Sequence, residues 1–213
     1  MKILTGDQRS PEWFAARIGY FTASRAADMM AQIKTGEAAA RRDLRLQIVL
    51  ERITGVSQET GYVNADMLRG IDVEPVGIAA YEAATGHLVS HVGFLAHDTL
   101  RAGCSPDGLI GNWDGGLELK CPKSATHLSY LRGKAIPKEY QYQMMMAMWI
   151  TRAHWWDFAS FDDRFPPKLQ LFVARLQRNE ADIAAFELLT RQFLTEVDKE
   201  VDELARLAGL MVV

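Results

Sequence analysis

The chain has 213 residues, 48% hydrophobic and 24% charged, the balance of one soluble globular domain with a sizeable core and no run near the ~18 apolar residues of a membrane span. Its opening Met1-Lys2-Ile3-Leu4-Thr5-Gly6-Asp7 reaches charge too early for a signal peptide, so a cytoplasmic location is expected, and Cys104 and Cys121 alone cannot build a disulfide framework or a cysteine zinc site. The net charge of −3 hides segregation, with +2 over residues 1–60, −5 over 61–120, +5 over 121–178 and −5 over 179–213, which leaves a nucleic-acid partner open.

The first half reads as helical. Ser10-Pro11-Glu12 starts a helix, with serine as cap and proline at the first helical position, and Gly19 closes it. A second helix is predicted from Thr22 or Ala23 to about Gln32, and a long amphipathic one from Glu37 to Ile53, stopped at Gly55. A fourth runs from about Ala65 to Thr85, with Pro75 predicting a kink or a helix start near Glu74.

The pattern then shortens. Leu88 to Leu95, Leu100 to Cys104 and Gly116 to Cys121 read as strands, with Asn112-Trp113-Asp114-Gly115-Gly116 as a hairpin connection. Helices are predicted at about Thr126–Leu131 and Glu139–Thr151, strands near His154–Phe161 and Lys168–Leu176, and a last helix from about Glu180 to Leu207. With no internal repeat and no Ser/Gly-rich linker, residues 1–213 form a single α/β domain, a mixed sheet of about five strands flanked by helices.

The chemistry concentrates in Cys104-Ser105-Pro106-Asp107-Gly108 and Glu118-Leu119-Lys120-Cys121-Pro122. Alternation in a strand puts Glu118 and Lys120 on one side and Leu117 and Leu119 on the other, the leucines toward the core. A hairpin returning from Asp107 brings a second carboxylate alongside Glu118. Such a pair suits a hard divalent cation like Mg²⁺, which takes oxygen ligands and polarises a phosphoryl group, and Lys120 can orient or deprotonate a water beside it. For an acid-x-lysine pair alone, a solvated ion pair on an edge strand is the better reading.

More of the chain carries a resemblance. The Pro-Asp-Gly turn followed by Glu-x-Lys is the pattern of the PD-(D/E)xK nuclease superfamily, with its restriction-endonuclease-like core. Trp13, Arg17-Ile18-Gly19-Tyr20-Phe21-Thr22-Ala23-Ser24, Ala102 to Leu109, Gly116 to Pro122, Met148 to Arg152 and Phe158 to Asp162, in that order, resemble the phage lambda exonuclease family of viral recombinases, the YqaJ type. The resemblance implies a Mg²⁺-dependent 5′→3′ exonuclease, with Mn²⁺ able to substitute. It would degrade one strand of linear double-stranded DNA from a 5′-phosphorylated end, release 5′-mononucleotides and leave a 3′ overhang. It further implies a ring-shaped homotrimer and a phage single-strand annealing protein as partner in recombination. An endonuclease or an opposite-polarity nuclease on the same core, and a non-catalytic DNA-binding protein, are the alternatives.

Residue by residue, the resemblance makes Asp107, Glu118 and the Leu119 carbonyl metal ligands, with Glu74 completing a second metal position. Lys120 becomes the water-activating lysine, and Gln143, or its neighbour Gln141, the glutamine at the nucleophile or scissile phosphate. Arg17, Ser24 and Ser105 match a pocket for the 5′-phosphate, where a guanidinium and hydroxyls near a helix start suit an anion. Trp13 is a further DNA contact, Met67 stands where an apolar wedge parts the strands, and Lys34 where a basic side chain enters the minor groove. Met144-Met145-Met146 replaces a more polar run of the lambda enzyme, and connections differ in length between Lys34 and Arg41. The five histidines lack metal-binding spacing and read as structural or exposed.

Overall fold

The structure, a computed structural model, describes residues 1–4, 7–59 and 64–209. After a short strand β1 (Lys2–Ile3), helix α1 (Pro11–Arg17) starts where Ser10 accepts the Trp13 N–H, with Pro11 at the first turn. The helix predicted from Thr22 to Gln32 is broken up. Phe21–Thr22 form strand β2, Ala23–Arg25 a 3-10 turn, and only Ala26–Met29 a helix, α2, because β2 is recruited into a sheet by Ala102 and Gly103. Helix α3 (Ala39–Thr54) ends at Gly55, whose φ of 68° suits glycine.

Helix α4 (Ala65–Thr85) runs unbroken through Pro75, so no helix starts at Glu74. Docking explains the continuity: Ile78 and Tyr81 are buried beyond the proline, and a Cβ on Gly77 would stand 3.0 Å from Leu119 and 3.2 Å from Phe161. The predicted strand Leu88–Leu95 is two strands, β3 (Val89–Ser90) and β4 (Leu95–Ala96), which join different sheets. Then come β5 (Ala102–Cys104), β6 (Gly108–Ile110), β7 (Gly115–Lys120), α5 (Ser124–Gly133), α6 (Lys138–Thr151), β8 (Trp155–Phe161), β9 (Leu171–Gln177) and α7 (Glu180–Leu207).

The main sheet has five strands in the order β3-β6-β7-β8-β9, as expected, with β7 and β8 parallel and the other neighbours antiparallel. A second sheet of four strands, β1-β4-β5-β2, is not foreseen from the sequence. Leu117, Leu119, Ala159 and Phe161 pack with Ile78 and Tyr81 under α4, while Trp156 and Phe158 join a larger core with α2, α3, α6 and α7. The β6–β7 turn falls earlier than Asp114-Gly115: Gly111 and Trp113 take positive φ, and Gly115 and Gly116 are already strand. Those glycines serve packing, since a Cβ on either would meet the ring of Trp155 or Trp156 at 2.2–2.4 Å. Among the described residues no helix is long and apolar enough to cross a membrane.

Candidate active site

Strand pairing assembles the chemistry. Gly108 pairs with Leu117, so Asp107, one residue before β6, stands across from Glu118. The Leu119 N–H donates to Asp107 Oδ2 at 2.7 Å and fixes the carboxylate at the end of the hairpin. Glu118 is buried at 3% exposure, and its Oε1 takes both an ion pair from Lys120 Nζ and a 2.8 Å hydrogen bond from Gln143 Nε2 on α6. Leu117 and Leu119 lie in the core on the opposite face, as strand alternation requires. Asp107, Glu118, Lys120 and Gln143 therefore come together.

Their electrostatics show a surplus of negative charge. Burial and the neighbouring Glu118 carboxylate push the Asp107 carboxyl up to about 7, despite the opposing pull of Lys120. For Lys120, burial acts to lower the pKa, but Glu118 and Asp107 outweigh it and hold the ammonium above its ordinary range. Lys120 is thus a proton-bearing donor in this arrangement. Burial raises both thiols, that of Cys121 to about 12, so neither offers a nucleophile.

Glu74 is placed differently. Its carboxylate is ion-paired with Arg9, and both line a cavity of about 240 Å³ together with Asp7, His91 and Asp107. Glu74 is near enough to raise the Asp107 pKa further. Among the described residues no group of three or more His, Cys, Asp or Glu side chains stands ready-made around one metal position. The donor set still fits a divalent cation: two carboxylates face each other across a hairpin, and burial together with their repulsion raises the Asp107 carboxyl, a charge imbalance that a hard divalent cation would relieve.

A second cluster forms around α1. Trp13 Nε1 donates to Ser105 Oγ at 2.9 Å, and the Arg17 guanidinium stacks 4.1 Å from the Trp13 ring. Arg17 Nη2 reaches Glu59 at 3.3 Å, yet its buried Nε has no hydrogen-bond partner among the described residues. Ser24 is exposed and its Oγ lies 3.2 Å from Thr22 Oγ1. Thr22 pairs with Gly103 in parallel strands, so Ser24 and Ser105 each stand two residues past that pair, at the same end of the sheet.

The remaining expectations separate. Gln141 donates to the Ile136 carbonyl at 2.7 Å, so of the two glutamines Gln143 is the one on Glu118. Met67, 49% exposed on the first turn of α4, is not core, and Lys34 is exposed in the loop before α3. Sequence reasoning missed Arg9, Gln8 and Tyr140. Tyr140 lies three residues before Gln143 on α6, with Lys120 Nζ 5.3 Å from its ring, and that helical spacing was a usable signal. Nothing local marks Arg9.

Known proteins resemble this chain in sequence and fold. Residues 12–154 match the model of the YqaJ-like viral recombinase domain. The uncharacterized protein ExoD of Escherichia coli (strain K12) is 30% identical over 76 residues, 36% of this chain and 86% of that one. An alkaline exonuclease, LHK-Exo, from Laribacter hongkongensis superposes with a TM-score of 0.85 at 39% identity, over 94% of this chain and 98% of that one. The same enzyme in complex with dAMP gives 0.86. A phage related exonuclease from Haemophilus somnus 129PT shares the fold at 11% identity, with a TM-score of 0.72 over 87% of this chain and 96% of that one.

Proposed function

The chain belongs to the YqaJ-like viral recombinase family, and from that premise we propose that it is a Mg²⁺-dependent 5′→3′ exonuclease of linear double-stranded DNA. It releases 5′-mononucleotides and leaves a 3′ single strand for recombination. The observation that carries this reading is the hairpin setting Asp107 across from Glu118, with Lys120 and Gln143 both bonded to the Glu118 carboxylate. Its relatives include a protein described as an alkaline exonuclease, covered along nearly its whole length.

Asp107, Glu118 and the Leu119 carbonyl would hold the cation, and Glu74 a second one. When bound, Mg²⁺ supplies positive charge that polarises a phosphoryl oxygen and acidifies a water. The chain's own groups do the rest. Lys120 presents its ammonium protons to the attacking water and to charge developing on the phosphate. Gln143 fixes the Glu118 carboxylate and keeps Lys120 aligned on it. Manganese would serve in place of magnesium because the donors are oxygens.

Support for 5′ polarity comes from Arg17. Among the described residues the buried Arg17 Nε–H has no partner, which costs about 1–3 kcal/mol, and a phosphate drawing the guanidinium toward it would relieve that cost. Trp13 holds Arg17 by ring stacking and Ser105 by hydrogen bond, so donors for a terminal phosphate are gathered two residues from Asp107. Ser24 would add a hydroxyl, Met67 an exposed wedge and Lys34 a groove contact. A homotrimer around the DNA and a single-strand annealing protein are the assembly and partner proposed with this reading, in the cytoplasm of a bacterial host.

The test is direct. Incubate the chain with Mg²⁺ and linear duplex labelled at either end, beside a covalently closed circle. Early release of label from the 5′ end alone, as a mononucleotide, with the circle intact, is the expected result. Cleavage of the circle would favour the endonuclease reading, and early release from the 3′ end the opposite polarity.

A further inference from the structure

Arg9 occupies a backbone conformation that non-glycine residues rarely take, with φ at 65°. Its neighbours impose it. Gln8 Nε2 donates to the Val92 carbonyl at 2.9 Å and the Pro106 carbonyl at 2.6 Å, while Ser10 Oγ donates to the Asp7 carbonyl at 2.9 Å and accepts the Trp13 N–H at 3.1 Å. Pro106 immediately precedes Asp107, so the segment carrying Arg9 is tied to the backbone that carries Asp107. From that anchored position the guanidinium crosses to α4 and pairs with Glu74. Arg9, Glu74 and Asp107 all line one cavity.

We propose that Arg9 is a built-in counter-cation of Glu74 that competes with a divalent cation for this carboxylate. The proposal rests on the metal-dependent reading above and deepens it. A guanidinium and a divalent cation on one carboxylate repel each other at close range. Asp107 and Glu118 together outweigh the single charge of Lys120, whereas Arg9 offsets Glu74 alone, which makes the Glu74 position the weaker of two. The strained backbone keeps Arg9 from drifting away, because Gln8 and Ser10 hold both of its flanks. Arg9 is a positioning residue that sets the order in which cations load.

The experiment is calorimetric titration of the full chain with Mg²⁺ alone, without DNA, on wild type, Arg9→Gly, Arg9→Lys, Glu74→Gln and Arg9→Gly/Glu74→Gln. Glycine suits the positive φ, and circular dichroism checks that each variant is folded. Arg9→Gly should tighten the weaker binding event by about fivefold and leave the stronger one within about twofold. Arg9→Lys, which keeps the charge, should stay near wild type. In the Glu74→Gln background the gain from Arg9→Gly should vanish. Superimposable isotherms for Arg9→Gly and wild type would overturn the proposal, as would a gain that persists without Glu74. Asp107→Asn separates the two levels of the argument. If it abolishes the stronger event while Arg9→Gly changes nothing, the metal reading stands and the Arg9 inference falls. If wild type takes up no Mg²⁺, both fall.

Discussion

Asp107 and Asp162 sit near the same end of the five-stranded sheet, one just before β6 and the other just after β8. Asp162 is fully buried and saturated with donors: Ser124 Oγ at 2.7 Å, Arg164 Nε at 2.7 Å and Nη2 at 2.8 Å, and Arg69 Nη2 at 3.1 Å. Burial alone would raise its pKa, but Arg164 and Ser124 outweigh that and hold the carboxyl far below its ordinary value. Asp107 has the Leu119 N–H at 2.7 Å, a second carboxylate opposite, and a proton affinity pushed up to about 7. One acid is neutralised by its own fold and serves structure. The other is left short of positive charge, the condition under which a cation or a proton is taken from solution.

That contrast can be attacked from both sides. The largest effect belongs to Lys120→Ala, which should lower the first-order digestion rate by about a thousandfold while end binding survives. Single-turnover digestion alongside a filter-binding titration checks it, and undiminished digestion would remove Lys120 from the chemistry. Asp162→Asn should behave oppositely. Breaking a buried ion-pair network should cost about 2–4 kcal/mol of folding stability in urea denaturation, with Mg²⁺ affinity of the folded protein unchanged. A parallel loss of Mg²⁺ affinity would erase the distinction drawn between the two acids.

Next in size is Arg17→Ala, which should reduce the preference for phosphorylated over hydroxyl 5′ ends by about tenfold or more. Competing the two ends in one reaction measures it, and an unchanged ratio would reassign Arg17. The last effect is a pH dependence with a definite sign. Proton and cation compete for the raised Asp107 carboxyl, so apparent Mg²⁺ affinity should fall as pH drops below about 7, up to tenfold per pH unit. It should level off above that pH. Because its folded pKa is raised, Asp107 also contributes stability at low pH that is lost as pH rises toward 7. Asp162 shows the opposite linkage, its contribution present at neutral pH and lost only in strong acid.

What was legible in the sequence follows the same division between local and distant causes. Alternation along Gly116 to Cys121 placed Glu118 and Lys120 together and Leu117 and Leu119 in the core, because strand geometry is local. The last helix, Glu180–Leu207, was legible end to end from helical spacing. The four-stranded sheet was not, since β2 and β4 have two residues each and exist only through distant partners, Phe21 with Ala102 and Ile3 with Leu95, or through a strand on the far side of a loop. Gly115 and Gly116 read as turn residues, but Trp155 and Trp156, distant in sequence, decide their use. The sequence could not choose between Gln141 and Gln143. On a helix, residues two apart face different ways, so once α6 docks only one meets Glu118. Arg9 was invisible because its role depends on a backbone angle fixed by Gln8 and Ser10.

The most direct measurement is a crystal of the chain soaked in Mn²⁺, with anomalous differences mapped in wild type and in Asp107→Asn. A peak about 2.1–2.2 Å from carboxylate oxygens of both Asp107 and Glu118, lost in Asp107→Asn, is the expected result. A wild-type map with no peak between those carboxylates, or one whose peak sits at Asp162, would contradict the account.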